Sequence, residues 1–272
     1  MSDTHNDKAF AGSIPEVYDA LMVPLIFAPY AADLATRLAP MRAQRVLEIA
    51  AGTGAATRAL DATLPGDVAI VATDLNAAMI ERARAIGTVR DVDWRKADAM
   101  DLPFPDATFD AVVCQFGAMF FPDKARAFAE ARRVLRPGGA LLFNVWDRIE
   151  DNEFADEVTA SLQPLFPDDP PQFMRRVPHG YFDTAAIRRD LAAGGFATAP
   201  RIDTLAKRSR AESPGVPARA YCQGTPLRNE IVARGPTRLP EATECAAKSI
   251  ALRFGDGAVE GKIQAHVVTI AR

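Results

Sequence analysis

The sequence is poor in cysteine and histidine, with three of each among 272 residues. Cys114, Cys222 and Cys245 lie far apart and do not have the spacing of metal ligands. A sparse, odd number of cysteines argues against a disulfide framework and is typical of a reducing compartment. The first residues are polar, and no apolar run approaches the roughly 18–20 residues that span a bilayer. We therefore expect a cytoplasmic protein without a membrane span.

The chain also has no excess of basic residues. The chain has 32 Lys and Arg against 35 Asp and Glu, which gives a formal net charge of −3. Nucleic-acid-binding proteins usually carry a basic stripe, so we expect no nucleic-acid partner. The sequence also lacks a Ser-His-Asp order, an HExxH pair and a P-loop, which leaves hydrolase and kinase activities without support.

The most informative stretch that is present is a short strand followed by two glycines. Residues 46–49 are mostly apolar and rich in β-branched side chains, as in a strand buried on both faces. Gly52 and Gly54 follow, and residues 55–64 have the pattern of a helix. This order brings bare backbone against a small cofactor at the carboxyl end of a strand. A tight turn without a ligand is the alternative that two glycines alone leave open.

Strands and helices alternate over the next hundred residues. Further strands are predicted at 67–73, 91–97, 109–115 and 140–145, with helices at 77–86 and 122–135. This alternation predicts a parallel sheet with helices on both faces. Asp74 ends the second strand, 20 residues past Gly54, where a carboxylate can accept hydrogen bonds from ribose hydroxyls. Asn76 is expected to cap the following helix and so to leave Asp74 free for a ligand.

The rest of the chain is predicted to complete the sheet and to cover it. Residues 196–206 and 261–271 suit a sixth and a seventh strand, and residues 216–233 and 241–254 read as two helices between them. Pro24 and Pro29 are expected to divide the N-terminal region into two or three short helices. We expect one domain over residues 1–272, with cap elements at 13–40, 148–182 and 214–256. The predicted fold class is α/β, a Rossmann-like, seven-stranded, mostly parallel sheet with helices on both faces and a helical cap.

Together these motifs resemble a class I S-adenosylmethionine-dependent methyltransferase, of the methyltransferase type 11 and ubiquinone/menaquinone C-methyltransferase group. The resemblance covers about residues 15–147. Residues 47–54 are similar to the glycine-rich first motif of the family, and residues 74–79 to its ribose and adenine edge. Residues 97–104 are similar to its adenine clamp, and residues 135–139 to its turn into the fifth strand. The family commonly has a glycine where this chain has Ala50, a departure that we expect to be tolerated.

The resemblance implies S-adenosyl-L-methionine as cofactor and S-adenosyl-L-homocysteine as product. Glu48 is expected near the methionine amino group, Asp74 at both ribose hydroxyls, and Asp98 at the adenine amino group. The implied cofactor-binding residues are Glu48, Ala50, Gly52, Gly54, Asp74, Leu75, Met79, Asp98, Ala99, Gln115 and Phe116.

The acceptor is expected to be a small, partly hydrophobic molecule. Tyr18, Phe27 and Phe120 are the candidates to line its site, although core packing explains such aromatic residues as well. His179 and Tyr181 could orient the acceptor or take its proton, and a hydrogen bond within a loop is the alternative role of His179. We assign no catalytic side chain, because the cofactor itself activates the methyl group and the protein has to position the acceptor.

Two other functions stay open at the level of the sequence. A nicotinamide-dependent oxidoreductase shares the glycine turn and the acid after the second strand. It fits less well, because the third glycine of the dinucleotide motif is replaced by Thr57 and the chain has no Tyr-x-x-x-Lys pair. A non-catalytic S-adenosylmethionine-binding module would keep the same motifs as a methyltransferase.

Overall fold

A single sheet holds all the strands that the alternation predicts. In the computed structural model, which describes Phe10 and residues 12–272, seven strands lie in the order β3-β2-β1-β4-β5-β7-β6. Neighbouring strands from β3 to β5 are parallel, and β7 is antiparallel to β5. The predicted seven-stranded, mostly parallel sheet is thereby confirmed. The strands are β1 (Arg45–Ile49), β2 (Ala69–Asp74), β3 (Asp93–Lys96), β4 (Phe109–Gln115), β5 (Leu135–Trp146), β6 (Arg201–Ala211) and β7 (Val259–Ala271).

Helices precede the first strand and connect many of the others. Asp123 and Asp183 act as N-caps, because their side chains accept hydrogen bonds from the backbone N–H groups of Arg126 and Ala185. The α-helices are α1 (Ile14–Val17), α2 (Ala28–Leu38), α3 (Ala55–Thr63), α4 (Ala77–Ile86), α5 (Lys124–Val134), α6 (Glu153–Ser161), α7 (Phe173–Arg176), α8 (Thr184–Ala193), α9 (Gly215–Gly224), α10 (Leu227–Ala233) and α11 (Leu239–Phe254).

Aliphatic side chains of the central strands and of α2 form the core of the sheet. Val46 on β1, Val113 on β4, Leu142 on β5 and Leu34 and Leu38 on α2 are all fully buried in one cluster. Burial of one such side chain stabilises the fold by about 1.5–3 kcal/mol relative to exposure. The core therefore fixes the middle of the sheet, from which the loops of the candidate site project.

The end of α3 is held by one arginine. The Arg90 guanidinium donates to the Asp61 carboxylate at 2.7 Å. It also donates to the backbone oxygens of Asp61, Leu64, Pro65 and Val68 at 2.6–3.1 Å. Both charged side chains are largely buried, at 12% and 6% exposure. Since the last carbonyls of a helix have no partner within the helix, Arg90 satisfies groups that would otherwise be left without one.

The chain divides into two compact units. The insert unit contains the described residues up to Phe27, Asp147–Gly180 and Ala206–Gln264, and the sheet unit contains Ala28–Trp146, Tyr181–Leu205 and Ala265–Arg272. Most of the three predicted cap segments fall in the insert unit. The exceptions are residues 28–40, which include helix α2, and residues 181–182, because they belong to the sheet unit. The assignment of a cap and its role stays a prediction.

The N-terminal region is one continuous helical run rather than separate short helices. α1 passes into a π-helical stretch, Tyr18–Phe27, then into α2 and a 3₁₀ turn, Ala39–Met41. Pro24 lies within the π-helical stretch. There the wider i→i+5 turns replace the α-helical bonds that a proline interrupts. Pro29 is the second residue of α2, directly after the π-helical stretch, and the helical run continues through it. The prediction that these prolines break the helix is wrong for these reasons.

The same run, Ile14–Met41, is long and apolar enough to cross a membrane. Its 28 residues contain an 18-residue window with a mean hydropathy of 1.3, of which 39% is buried within the protein. Core helices and N-terminal signal sequences also meet these criteria, so the helix is weak evidence for a span. Tyr30, Leu34 and Leu38 are fully buried. The prediction of a chain without a membrane span therefore receives weak support.

Three predicted elements differ most from the observed ones. Strand β5 begins at Leu135, so that the predicted turn at 136–139 lies within it, at an irregularity in its pairing with β4. Strand β6 begins at Arg201, five residues later than predicted, because Pro200 precedes it. The predicted helix over 216–233 is two helices, α9 and α10, since Pro226 cannot continue the first one.

Candidate active site

The order of the strands places a crevice at the carboxyl ends of β1 and β4. The chain proceeds from β1 through β2 to β3 on one side, and β4 and β5 lie on the other side of β1. In open α/β sheets ligands bind where the strand order reverses in this way. The loops that follow β1, β2 and β4 are therefore the parts of the sheet unit in which a site is expected.

The loop after β1 turns through three residues with positive φ. Ala50, Gly52 and Gly54 have φ of 55°, 57° and 82°. The Ala51 N–H donates to Thr73 O at 2.9 Å, which ties the loop to β2. Glycine adopts this left-handed conformation without strain, whereas alanine does so at a cost of about 1–2 kcal/mol. The two glycines are thus required by the backbone, and Ala50 is a strained residue.

The methyl group of Ala50 is accommodated by a glycine in the loop after β4. A Cβ atom added to Gly117 would lie 2.4 Å from Ala50 Cβ and 2.8 Å from Cys114 Sγ. Cβ atoms do not approach other atoms so closely, so residue 117 has to be glycine while residue 50 is alanine. This contact explains how the departure from the family's glycine at Ala50 is tolerated, and the sequence alone did not indicate it.

Asp74 connects the glycine turn to the start of α4. Its Oδ2 accepts from Gly52 N and its Oδ1 from Asn76 N, both at 2.8 Å. The prediction that the Asn76 side chain caps α4 is wrong, because this side chain makes no capping hydrogen bond, and the availability of Asp74 for a ligand stays a prediction. Burial raises the pKa of Asp74, and the hydrogen bonds from Asn76 and Gly52 oppose that shift. The Asp74 carboxylate is thus held by backbone N–H groups of the glycine turn and of the start of α4.

Glu48 is a buried acid directly before the glycine turn. It is 1% exposed, and its Oε2 accepts from the Thr57 hydroxyl at 2.6 Å. Burial raises its pKa to about 8, and the Thr57 hydrogen bond and the Arg58 charge oppose this rise only in part. Glu48 therefore holds a proton at neutral pH until a cation comes near it. Thr57, at the place of a third glycine, has a fully buried side chain that is engaged with this acid.

Leu75 and Met79 differ in exposure beside the same turn. Leu75 is 43% exposed, as an apolar face for a planar ring would be, whereas Met79 is 3% exposed. Met79 Cε lies 3.5 Å from the position that a Cβ on Gly52 would take. Such a Cβ would be in ordinary van der Waals contact with Met79, so the left-handed φ is what restricts Gly52 to glycine.

The predicted adenine clamp is a tight turn next to the end of β2. Ala97 N donates to Asp74 O at 3.1 Å, which continues the pairing of β2 with β3. Asp98 Oδ1 accepts from Met100 N at 2.9 Å, and Asp98 O accepts from Asp101 N at 3.0 Å. Asp98 and Ala99 are half-buried. The turn thus fixes the Asp98 carboxylate by one oxygen.

Phe116 leaves β4 in a strained backbone conformation, with φ of 50°. Its N–H donates to both Asn144 Oδ1 at 2.9 Å and Asn144 O at 3.2 Å. Its ring lies parallel to that of Trp146, 3.8 Å away and inclined by 8°, and meets Tyr30 edge-on at 5.4 Å. Gln115, which ends β4, is half-buried. The predicted pair Gln115 and Phe116 therefore lies at the carboxyl end of β4, beside an aromatic cluster, and its contact with a cofactor stays a prediction.

The acceptor-side candidates are divided between the two units. Tyr18 and Phe27 belong to the insert unit, where their rings stack at 4.9 Å. Phe120 is half-buried in the sheet unit, at the end of the 3₁₀ turn Ala118–Phe120. Their assignment to an acceptor site stays a prediction.

His179 and Tyr181 each have a structural partner. His179 Nδ1 lies 2.8 Å from Asp147 O, and burial lowers its pKa to about 4, so the ring is neutral at physiological pH. The Tyr181 hydroxyl donates to Asp190 Oδ2 at 2.7 Å, and burial, followed by this bond, raises its pKa. Lys124 Nζ lies over the Tyr181 ring at 4.7 Å. This geometry favours a role in holding loops for both residues.

One buried hydroxyl in the glycine turn supports the presence of a ligand. Thr53 is 1% exposed, and its Oγ1 has no hydrogen-bond partner among the residues that the structure describes. A buried hydroxyl without a partner costs about 1–3 kcal/mol, so such groups usually have a functional reason. With the positive-φ turn, the Asp74 carboxylate and the exposed Leu75, the residues present fit a nucleoside cofactor that has an amino-acid part.

Comparison with known proteins also indicates a methyltransferase. Residues 47–143 match the model of the methyltransferase domain family. The ubiquinone/menaquinone biosynthesis C-methyltransferase UbiE of Cronobacter sakazakii is 40% identical over 105 residues, which are 37% of this chain and 42% of that protein. The chain therefore matches less than half the length of this curated relative.

Solved structures share the fold at low sequence identity. The YcgJ protein of Bacillus subtilis has a TM-score of 0.57 at 21% identity, over 90% of this chain and 99% of that chain. A phosphoethanolamine N-methyltransferase 2 of Haemonchus contortus, solved with S-adenosylhomocysteine, has a TM-score of 0.62 at 15% identity, over 100% of this chain and 61% of that chain. The match to the family model identifies residues 47–143 of this chain as a methyltransferase domain of the class I S-adenosylmethionine-dependent type, and the solved structures share its fold.

Proposed function

We propose that this protein transfers a methyl group from S-adenosyl-L-methionine to a small, partly hydrophobic acceptor. The turn after β1, fastened by Asp74 and strained at Ala50, carries the proposal. The cofactor supplies a methyl group already activated by its sulfonium charge. Asp74 would hold the ribose, and Leu75 and Met79 would pack against the adenine ring. Asp98 and Ala99 would bind the polar edge of the adenine. The protein's remaining task is to hold the nucleophile in line, about 3–3.5 Å from the methyl carbon, and to exclude water.

The proposed role of Glu48 gives a test that needs no acceptor. The cofactor's amino group is a cation, and a cation beside a buried acid favours the ionised form of that acid. Because the pKa of Glu48 is about 8 in the protein alone, binding at pH 7 should release close to one proton. Calorimetry with S-adenosylhomocysteine in buffers of different ionisation enthalpy measures this release.

Glu48→Gln is the matched control for that experiment, because it keeps the shape and the hydrogen bond with Thr57 but has no proton to lose. We expect the release to disappear in this variant. Equal release from the variant and the wild type would contradict the placement of the amino group at Glu48.

Asp74→Ala tests the ribose assignment. Loss of hydrogen bonds to a charged group costs about 1.5–3 kcal/mol, so the affinity for S-adenosylhomocysteine should fall at least tenfold. Asp74→Asn keeps the acceptor oxygen toward Gly52 and separates the effect on the turn from that on the ligand. Unchanged affinity in folded Asp74→Ala would show that the ribose binds elsewhere.

A quinone-like or phenolic acceptor is the chemical class that the UbiE relatives suggest. We propose it for this chain as a small aromatic molecule, recognised by the segments predicted as cap elements, in the cytoplasm. Incubation of the protein with labelled S-adenosylmethionine and pooled metabolites, followed by mass spectrometry, should find a product with one added methyl group. Preferential labelling of protein or RNA would contradict the acceptor class.

The two alternative functions make different predictions in the same assays. A nicotinamide-dependent oxidoreductase would be stabilised by NADH or NADPH and not by S-adenosylhomocysteine. The engagement of Thr57 with Glu48 speaks against it, because this fully buried side chain fills the place of the third glycine. A non-catalytic module would bind S-adenosylmethionine but yield no methylated product.

A further inference from the structure

Asn144 is a polar residue in an otherwise apolar part of β5. It lies between Phe143 and Val145, and all three are fully buried. Its Oδ1 accepts from Phe116 N, whereas its Nδ2 has no hydrogen-bond partner within the described part of the chain. An apolar residue of similar size would avoid the cost of that buried amide, so the side chain needs a reason beyond packing.

The bond from Phe116 to Asn144 occurs where the backbone is strained. Phe116 has φ of 50°, a conformation in which bulky residues are rare. Strained residues of this kind persist when their surroundings determine them, and they cluster at functional sites. Here one N–H has two acceptors on the same residue, the side-chain and the backbone oxygen of Asn144. Asn144 thus supplies both acceptors for the N–H group of the strained residue.

The left-handed conformation of Phe116 has two consequences. It aligns the Phe116 ring with that of Trp146, at 3.8 Å. It also brings the next residue, Gly117, so close to Ala50 that a Cβ on Gly117 would lie 2.4 Å from Ala50 Cβ. Asn144 is therefore connected to the glycine turn indirectly, through Phe116 and Gly117.

We propose that Asn144 is a positioning residue: its side-chain oxygen holds Phe116 in the left-handed conformation, and thereby fixes the loop after β4 against the cofactor turn at Ala50. This inference rests on the proposed function for its effect on the cofactor. Its effect on the Phe116 ring does not depend on any ligand.

Two variants of Asn144 test the proposal. Asn144→Leu has a similar size but no acceptor for Phe116 N, and Asn144→Asp keeps an acceptor at the same place. Leu142→Val serves as the control, because it loosens the buried core of the same strand without touching Phe116. All three are compared by urea unfolding, so that only folded protein is examined further.

The Trp146 spectrum reports on the ring stack. Trp94 and Trp146 are the two tryptophans of the chain, so Trp94→Phe isolates the signal of Trp146. In this background, Asn144→Leu should change the near-ultraviolet circular dichroism and the fluorescence of Trp146, and Phe116→Ala, which removes the stacked ring, should change them in the same way. Asn144→Asp and Leu142→Val should keep the spectrum of the parent. A parental spectrum in folded Asn144→Leu would overturn the proposal.

Calorimetry with S-adenosylhomocysteine, in the background that retains Trp94, reports on the connection to the cofactor turn. Asn144→Leu should weaken binding about tenfold, the scale expected when the buried Phe116 N–H loses its side-chain acceptor and the loop after β4 is no longer held. Asn144→Asp should stay within about threefold of the wild type. If Asn144→Leu binds as the wild type does, the effect on the cofactor turn is refuted. A wild-type protein that binds no S-adenosylhomocysteine would contradict the proposed function, and the Trp146 spectrum would still decide whether Asn144 holds Phe116.

Discussion

The contact between residues 50 and 117 allows a quantitative prediction. In Gly117→Ala, the new methyl group would lie 2.4 Å from Ala50 Cβ and 2.8 Å from Cys114 Sγ. Carbon atoms in good contact are about 3.5–4.0 Å apart, so the backbone or the neighbours have to move. Overpacking of this kind costs typically 1–3 kcal/mol. We expect the free energy of unfolding to fall by about 2 kcal/mol.

Ala50→Gly should relieve this overlap at a small cost of its own. It removes the strain of alanine in the left-handed region, about 1–2 kcal/mol, but adds about 0.5–1 kcal/mol of chain entropy on folding. The single variant should therefore lie within about 1 kcal/mol of the wild type. In the double variant, the methyl group at residue 117 still contacts Cys114, but its closer contact with the side chain of residue 50 is gone. We expect it to be about 1 kcal/mol more stable than the sum of the single changes predicts.

Urea unfolding of the four proteins, followed by circular dichroism, measures this coupling energy. Gly66→Ala is the matched control, because a Cβ there would meet no atom within 4 Å. Changes at independent sites add to within about 0.3–0.5 kcal/mol. Strict additivity of Ala50→Gly and Gly117→Ala would refute the argument that the glycine at 117 makes room for the alanine at 50.

Three further predictions concern the same unit. Gly52→Val should abolish binding of S-adenosylhomocysteine in calorimetry while the circular dichroism spectrum stays normal, because φ of 57° is strained for a branched residue; tight binding would contradict it. Since the pKa of Glu48 is about 8 when folded and near 4.5 when unfolded, the unfolded state binds fewer protons between these values and stability falls as pH rises. The slope is best measured from pH 7.5 to 8, where His179 is largely neutral both in the folded state, with its pKa of about 4, and in the unfolded state, with its ordinary pKa of 6.5. Urea unfolding should show a loss of up to about 1 kcal/mol per pH unit there, and Glu48→Gln should remove that slope. Arg90→Ala should destabilise the protein by about 3–5 kcal/mol because it breaks a buried ion pair, and a thermal unfolding temperature equal to that of the wild type would refute this role.

The periodicity of the chain was sufficient to predict the sheet but not the details of its loops. Strand β4 and helix α4 have the predicted limits, because apolar runs and glycine or proline residues mark them. Pro24 was misleading, since a proline stops an α-helix but lies here in a π-helical stretch. Local pattern does not distinguish the two, as the choice depends on tertiary packing.

A site residue was predictable from the sequence where its type has one dominant role at that position of the fold. Asp74 after the second strand is such a case, and the structure places its carboxylate on the glycine turn. The relation between Ala50 and Gly117 was not predictable, because it joins positions 67 apart in the sequence through a contact in space. Asn144 did leave a signal, a lone amide within an apolar strand. Its partner is the backbone N–H of Phe116, and the positive φ of that residue has no signature in the sequence.

Both edges of the sheet carry many charged side chains. Edge strand β3 has three charged residues among its four, Asp93, Arg95 and Lys96. Edge strand β6 has five among its eleven: Arg201, Asp203, Lys207, Arg208 and Arg210. An edge strand offers unpaired backbone groups to any other strand, and charges discourage that pairing because they would lose water. The long mixed sheet of this protein is thereby protected from edge-to-edge aggregation, and replacement of the β6 charges by threonine should lower the concentration at which the protein begins to aggregate.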